Sequence, residues 1–287
     1  MEHRLRQLAR DEFPSLLTEI ADPPEVLYVR GNLPEPSLTY LTVIGSRSAS
    51  AYAREALTQI IHGLRGLPIV IVSGLALGID TVAHRAALDA GLTTIAIPGS
   101  GLLPDVLYPR MNIRLAEEIV NAGGALLSEF APDFKATPWS FPKRNRIMAG
   151  LSHATFVVEG ARKSGTLITA RLAMEYNRDV LALPGPITHT QSAGPHYLIQ
   201  EGAALVTDAK DIASALDVQF SEENSSDPEL TPNEICIWNE VTRESLDRDA
   251  LTERISLSIS EMNATLSVME LKGLITISGG IIIPQKH

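Results

Sequence analysis

Short apolar, β-branched runs alternate with stretches of helical periodicity along the first three-quarters of the chain, and this alternation restricts the fold more than any other feature. The strand-like runs are Val26–Val29, Leu41–Ile44, Ile69–Ser73, Thr93–Ile97, Ala125–Ser128, Ala154–Val158 and Val180–Leu183. Several are apolar throughout, as strands covered on both faces are. Between them, Ala51–Leu64, Gly78–Ala90, Asn112–Ala122 and Thr166–Tyr176 carry apolar residues at helical spacing. The pattern predicts an α/β fold with a doubly wound, mostly parallel sheet. Ligands of such sheets bind beyond the carboxyl ends of the strands.

A boundary follows the helix-like stretch Asp208–Leu216. Residues 221–229 are polar, acidic and free of apolar side chains, a composition that cannot order itself by burial and reads as a linker over 221–230. Beyond it, Pro232–Val241, Asp249–Ser256 and Ser260–Lys272 look helical. Leu274–Ser278 and Ile281–Ile283 flank Gly279-Gly280 and read as a hairpin, the glycines supplying positive φ. Three short helices and a hairpin make a winged-helix pattern over 231–287, after a first domain over 1–220.

Charge separates the two parts. Residues 1–220 hold 19 Lys and Arg against 22 Asp and Glu, whereas residues 221–287 hold 5 against 12. The acidity therefore sits in the tail, and a locally basic surface remains open to the larger domain. The single cysteine, Cys236, excludes an intramolecular disulfide framework and a zinc site of several thiolates, and its apolar surroundings read as inert core. No apolar run approaches the ~18–20 residues that cross a bilayer, so a cytoplasmic protein without a membrane segment is expected.

Four strand exits offer anion-binding chemistry. They are Gly45-Ser46-Arg47-Ser48, Ser73-Gly74 through Asp80, Pro98-Gly99-Ser100-Gly101, and Glu159 through Arg162, Lys163, Ser164, Gly165 and Thr166. Glycine admits a ligand close to the backbone, and hydroxyls with free N–H groups at a helix start bind anions. One Gly-Ser turn is ordinary turn chemistry; four on one sheet edge, with Arg47, Arg162 and Lys163 among them, favour phosphate binding. The dinucleotide fingerprint and the phosphate loop are absent, so no nucleotide cofactor is expected.

The segment Lys135–Arg146 adds Lys135, Lys143, Arg144 and Arg146 with Trp139 and Phe141, and no carboxylate. Cations that track phosphates beside rings that stack bases suit single-stranded nucleic acid. The prolines at 138 and 142 predict that both rings are held in extended chain. A catalytic constellation is harder to assemble. Asp80 and His84 share a helical face, but read more simply as a helix-start carboxylate and a packed histidine. Glu129 and Glu159 end strands, where they can pair with the basic segment. No catalytic residue and no metal site are expected.

Taken together these motifs resemble the DprA/Smf family, the DNA-processing protein A of bacteria. The resemblance rests on Val43-Ile-Gly-Ser-Arg47, Ser73 through His84, Tyr108-Pro-Arg-Met-Asn112, Ser128-Glu129, Phe141 through Arg146, Ser164 through Thr169, Pro184-Gly-Pro186 and Leu198 through Ala203. It implies an extended Rossmann-like domain that binds single-stranded DNA, as a homodimer, and hands it to the RecA recombinase in natural transformation. By position, Gly45, Ser46 and Arg47 and the segment Phe141, Lys143, Arg144 and Arg146 would line the DNA pocket. Ser164, Gly165 and Thr166 would donate hydrogen bonds, with Trp139, Arg162 and Lys163 as further contacts. The family's frequent N-terminal helical domain is not expected here, and the acidic winged helix is expected to contact protein rather than phosphate.

The alternative class is a nucleotide-processing enzyme like the LOG-type phosphoribohydrolases, which share a similar sheet. Their Pro-Gly-Gly-x-Gly-Thr-x-x-Glu motif supplies a catalytic carboxylate. Aligned on Gly165-Thr166, this chain places Thr169 there. Threonine cannot act as a carboxylate acid or base near neutral pH, which favours a binding protein.

Overall fold

Leu41, Val43, Ile69 and Ile71 are buried in one core layer, while Ile44, Val70 and Val72 are buried in another. Alternate residues of each strand thus enter opposite faces of one sheet, which explains why these runs are apolar throughout. The computed structural model describes residues 5–220, 231–244, 246–255 and 257–284. It divides into two compact units, Met1–Asn224 and Ser225–His287. The acidic stretch 221–230 read as a linker lies outside the described residues.

In chain order the first unit comprises β1 (Arg6–Gln7), α1 (Ser15–Thr18), β2 (Tyr28–Gly31), β3 (Thr39–Ile44), α2 (Ala51–His62), β4 (Ile69–Ser73), α3 (Ile79–Asp89), β5 (Thr94–Ala96), α4 (Ile113–Asn121) and β6 (Ala125–Ser128). It continues with α5 (Ser140–Leu151), β7 (Ala154–Val157), α6 (Gly165–Glu175), β8 (Asp179–Ala182), α7 (Ala193–Gln200), β9 (Ala204–Leu205) and α8 (Ala209–Ala215). The sheet order is β1-β2-β6-β5-β4-β3-β7-β8-β9. From β6 to β9 every pairing is parallel. The strand expected at Val26–Val29 is observed as β2, displaced toward Gly31 and antiparallel to β6.

This order fixes where a ligand can enter. From β3 the chain steps outward through β4, β5 and β6, then returns to pair β7 against the other side of β3. The loops that leave β3 and β7 therefore diverge, and a crevice opens between them at the topological switch point.

Helix α5 is the main departure from expectation. Residues 140–151 are helical, and Trp139 at the N-cap has φ −77° and ψ −22°. Phe141 and Trp139 are thus not extended. Pro142 falls in the first helical turn, where the missing N–H breaks no intrahelical bond and the fixed φ suits a helix.

The second unit contains α9 (Pro232–Val241), β10 (Leu246–Asp247), α10 (Arg248–Arg254), α11 (Ile259–Leu271), β11 (Ile275–Ser278) and β12 (Ile281–Pro284). The strands form an antiparallel sheet, β10-β12-β11, with Gly279 and Gly280 at φ +59° and +85° in the turn. Ile237, Leu251, Leu266, Met269 and Ile282 fill its core. Three helices packed with a small antiparallel sheet that ends in a hairpin make this a winged-helix fold. Cys236, expected in the core, is exposed instead, because its neighbour Ile237 takes the inward position on α9.

Candidate functional site

A cleft of about 650 Å³ lies at the switch point. Its walls come from the β3 exit (Gly45, Ser46, Arg47), the β7 exit (Gly160, Ala161, Ser164, Gly165, Thr166) and the start of α5 (Phe141, Arg144, Asn145). Ala76 and Asp80 reach it from the loop after β4 and from α3. Three of the four predicted exits thus meet. The fourth supports from below: Gly99 lies under Phe141, and its carbonyl accepts a 2.5 Å hydrogen bond from Ser140 Oγ.

Close backbone packing shapes the β3 wall. A Cβ on Gly45 would lie 2.5 Å from the Ile79 side chain, so this glycine lets the first residue of α3 approach the strand exit. Ile79 N–H donates to the Ser46 carbonyl at 3.0 Å. The Ser46 hydroxyl closes a local turn, donating to the Ser48 carbonyl and accepting from Ser48 N–H. Arg47 stays exposed at the rim and forms no ion pair among the described residues. Its guanidinium lies over the Phe141 ring, 5.1 Å from the centroid, and Tyr108 packs near that ring at 5.6 Å.

Arg144 forms the floor. It is buried, its guanidinium donates to the Ile97 carbonyl, and it faces the carboxylate of Asp80. Burial pulls its pKa down to about 10, opposed by Asp80, so it remains cationic near neutral pH. Asp80 accepts hydrogen bonds from the N–H groups of Gly74 and Ala76 at 3.0 and 3.2 Å. Burial raises its pKa, and Arg144 counters that shift. Asp80 therefore ties the loop after β4 to the start of α3 and stands as counter-charge to Arg144.

Across the cleft, α6 begins at Gly165 with Ser164 as N-cap. The Ser164 Oγ is buried and has no hydrogen-bond partner among the described residues. A Cβ on Gly165 would meet nothing within 4 Å, so this backbone is open to a ligand. Free N–H groups and a helix dipole that converge on an unpartnered hydroxyl form an anion seat.

The remaining predicted residues separate from this cleft. Arg146 is bound to Glu129, and its Nη1 donates to the Asp22 carbonyl at 2.6 Å. Lys143 Nζ lies 3.5 Å from the same Glu129 carboxylate. Both were expected to meet phosphate in the pocket; helical periodicity instead carries them to the other side of α5, where Glu129 gathers them. Burial raises the Glu129 pKa, and Arg146 and Lys143 act against it. Trp139 packs with Phe130 and Phe134. Arg162 lies over Tyr197 at 4.8 Å, and Lys163 is exposed on the same turn; neither lines the cleft.

The enzyme alternative meets occupied or neutral groups. Glu159 is buried and accepts from Ser50 N–H at 3.0 Å and Ser50 Oγ at 2.6 Å, tying the β7 exit to the start of α2. His84 is buried against Thr94 Oγ1 at 2.7 Å, and desolvation lowers its pKa to about 3. Thr169, which aligns in sequence with the carboxylate of the phosphoribohydrolase motif, is buried in the cleft wall. Sequence reasoning missed Tyr108, Pro109 and Leu77, which line a small depression beside Phe141. Tyr108 and Pro109 belong to the Tyr108–Asn112 motif and Leu77 to the exit after β4, but none of the three carries a charge that marks it as a ligand.

A sequence profile described as DNA recombination-mediator protein A matches residues 4–217, and one described as DprA winged helix domain matches residues 221–280. The chain belongs to the DNA recombination-mediator protein A family. Within that family it is 46% identical to the DNA processing protein DprA of Streptococcus pneumoniae over 202 residues, covering 70% of each chain. It is 38% identical to Protein Smf of Escherichia coli, covering 98% of this chain and 77% of that one. Among solved structures, DprA from Streptococcus pneumoniae matches with TM-score 0.68 at 40% identity, covering 77% of this chain and 76% of that one. DprA from Helicobacter pylori, whose structure concerns its single-stranded DNA binding mode, matches with TM-score 0.65 at 29% identity, covering 75% and 98%. No described helix of this family member is long and apolar enough to cross a membrane.

Proposed function

We propose that the first unit binds single-stranded DNA in the switch-point cleft without strong sequence preference. In this reading Arg47 and Arg144 neutralise phosphates. The N–H groups of Gly165 and Thr166 and the Ser164 hydroxyl donate to phosphate oxygens. Gly45 and Ser46 let the backbone come close, and Phe141 stacks on a base. Lys143 and Arg146 act indirectly, anchoring α5 through Glu129.

The observation that carries this reading is the pairing of two cationic side chains with an open helix N-terminus across one cleft, next to an aromatic ring. Phosphate contacts position a strand and stacking holds it whatever its sequence. The likeness to the Helicobacter pylori protein supports the same ligand. By family resemblance, the bound strand is protected and handed to a RecA recombinase during natural transformation, by a cytoplasmic homodimer that performs no catalysis of its own.

Fluorescence anisotropy with labelled oligo-dT and a duplex of equal length tests the binding. Single strands should bind more tightly, and Arg47→Ala should weaken them about tenfold at every sequence, the loss expected for a charge-assisted contact. Equal affinity of wild type and Arg47→Ala contradicts the assignment. The handover is tested separately, by whether the protein speeds RecA assembly on the same oligonucleotide.

A further inference from the structure

Trp139 and Phe141 are two residues apart yet face different ways. Phe141 turns toward Gly99, Tyr108 and Arg47 at the cleft wall. Trp139 stands at steep angles to Phe130 and Phe134, 79° at 5.7 Å and 63° at 5.6 Å, and those two rings stack on each other at 4.6 Å. The ammonium of Lys143 lies 5.8 Å from the Phe130 ring centroid and 5.9 Å from that of Trp139. Even so, Trp139 is 55% exposed. Two rings and a cation hold an indole in place while more than half of it faces solvent.

We propose that this ring cluster is a second base-stacking seat, which takes nucleotides of the single strand as they leave the cleft across the start of α5. The inference rests on the reading of the cleft as a single-strand site. Continuity supports it. Pro138 lines the cleft, and the next residue, about 3.8 Å along the chain, is Trp139. Charge bears on it as well: the Lys143 side chain beside the rings is 46% exposed while it pairs with Glu129 at 3.5 Å, so the exposed indole stands next to a cation. A rigid, exposed ring matches a base, and prior immobilisation lowers the ordering cost of stacking. Trp139 would be a binding residue here, and the Lys143 ammonium, paired with Glu129, would hold its ring in place.

The chain has two tryptophans, and the second, Trp238, packs against the core of the other unit. Emission from Trp139 is therefore read in Trp238→Phe, or as wild type minus Trp139→Phe. Saturation with oligo-dT of about 20 nucleotides should quench it strongly, whereas about four nucleotides, enough for the cleft alone, should not. Trp139→Ala should weaken the long oligonucleotide about fivefold or more and leave the short one unchanged. Unchanged emission at saturation, or unchanged affinity of Trp139→Ala, overturns the seat. So does emission that responds to protein concentration alone, which assigns the rings to a contact between copies of the chain. A long oligonucleotide that binds and is weakened by Arg47→Ala while Trp139 stays silent removes the seat but not the cleft. No binding by wild type removes both.

Discussion

The guanidinium carbon of Arg47 lies 5.1 Å above the centroid of the Phe141 ring. This contact joins the loop after β3 to the first turn of α5, so the proposed phosphate ligand and the proposed stacking ring are held as one unit. A strand that engages either residue meets the other already in place, which lowers the ordering cost of binding.

Gly99 tests whether the ring is used. A Cβ there would lie 2.6 Å from the Phe141 ring, so Gly99→Ala must tip the ring or shift the loop. Oligo-dT affinity should fall about fivefold or more, the loss of one stacked base. Overpacking should lower stability by about 1–3 kcal/mol, read from a urea midpoint. Wild-type affinity in a folded Gly99→Ala would show that the ring is not used.

Salt dependence counts the phosphates. With Arg47 and Arg144 in the cleft, the slope of log affinity against log salt should be about −1.4, or roughly sevenfold between about 50 and 200 mM. Four neutralising side chains would give about −2.8 and roughly 50-fold. Arg146→Ala should leave the slope unchanged. It should instead destabilise the fold by about 3 kcal/mol, since the Glu129 side chain, only 7% exposed, loses its closest partner.

His84 makes stability depend on pH. Its folded-state pKa of about 3 lies below the unfolded value of 6.5, so the unfolded chain binds more protons between them. The stability it contributes is complete above pH 6.5 and is lost as pH falls, with a limiting slope of about 1.4 kcal/mol per pH unit. The raised pKa values of Asp80 and Glu129 act in the opposite sense. The difference between wild type and His84→Gln isolates the histidine, and it should shrink from pH 7 to pH 5. A constant difference contradicts the assignment.

The winged helix should contribute little to strand affinity. Helix α11 carries Glu261 and Glu270 and no lysine or arginine, and the following Lys272 is held by the buried Glu234 at 2.7 Å. Removal of residues 221–287 should leave oligo-dT affinity within about twofold, since phosphate contacts dominate such binding. A tenfold loss would assign phosphate contacts to the acidic unit.

The sheet was legible because its strands are apolar on both faces, and the switch point followed from the same alternation. Gly45, Arg47 and Gly165 were legible as strand-exit chemistry. The side of α5 was not. Reading Pro138 and Pro142 as enforcing extended chain hid the helix, and without it the 3.6-residue period that separates Arg144 from Lys143 and Arg146 stayed out of view. Pairing was legible in part: Glu129 at a strand end was read as a partner of the basic segment, but which of its cations the carboxylate takes, Arg146 and Lys143 rather than Arg144, depends on the face of α5. Cys236 shows the same limit on a smaller scale, where a one-residue rotation decides between core and solvent.

The most direct measurement is ultraviolet crosslinking of oligo-dT to the full chain, with the adducts mapped by mass spectrometry. Thymidine attached to the peptide that carries Phe141, and lost in Arg47→Ala, is the predicted result. Adducts confined to residues 231–284, with the Phe141 peptide unmodified, would contradict the placement of the strand in the cleft.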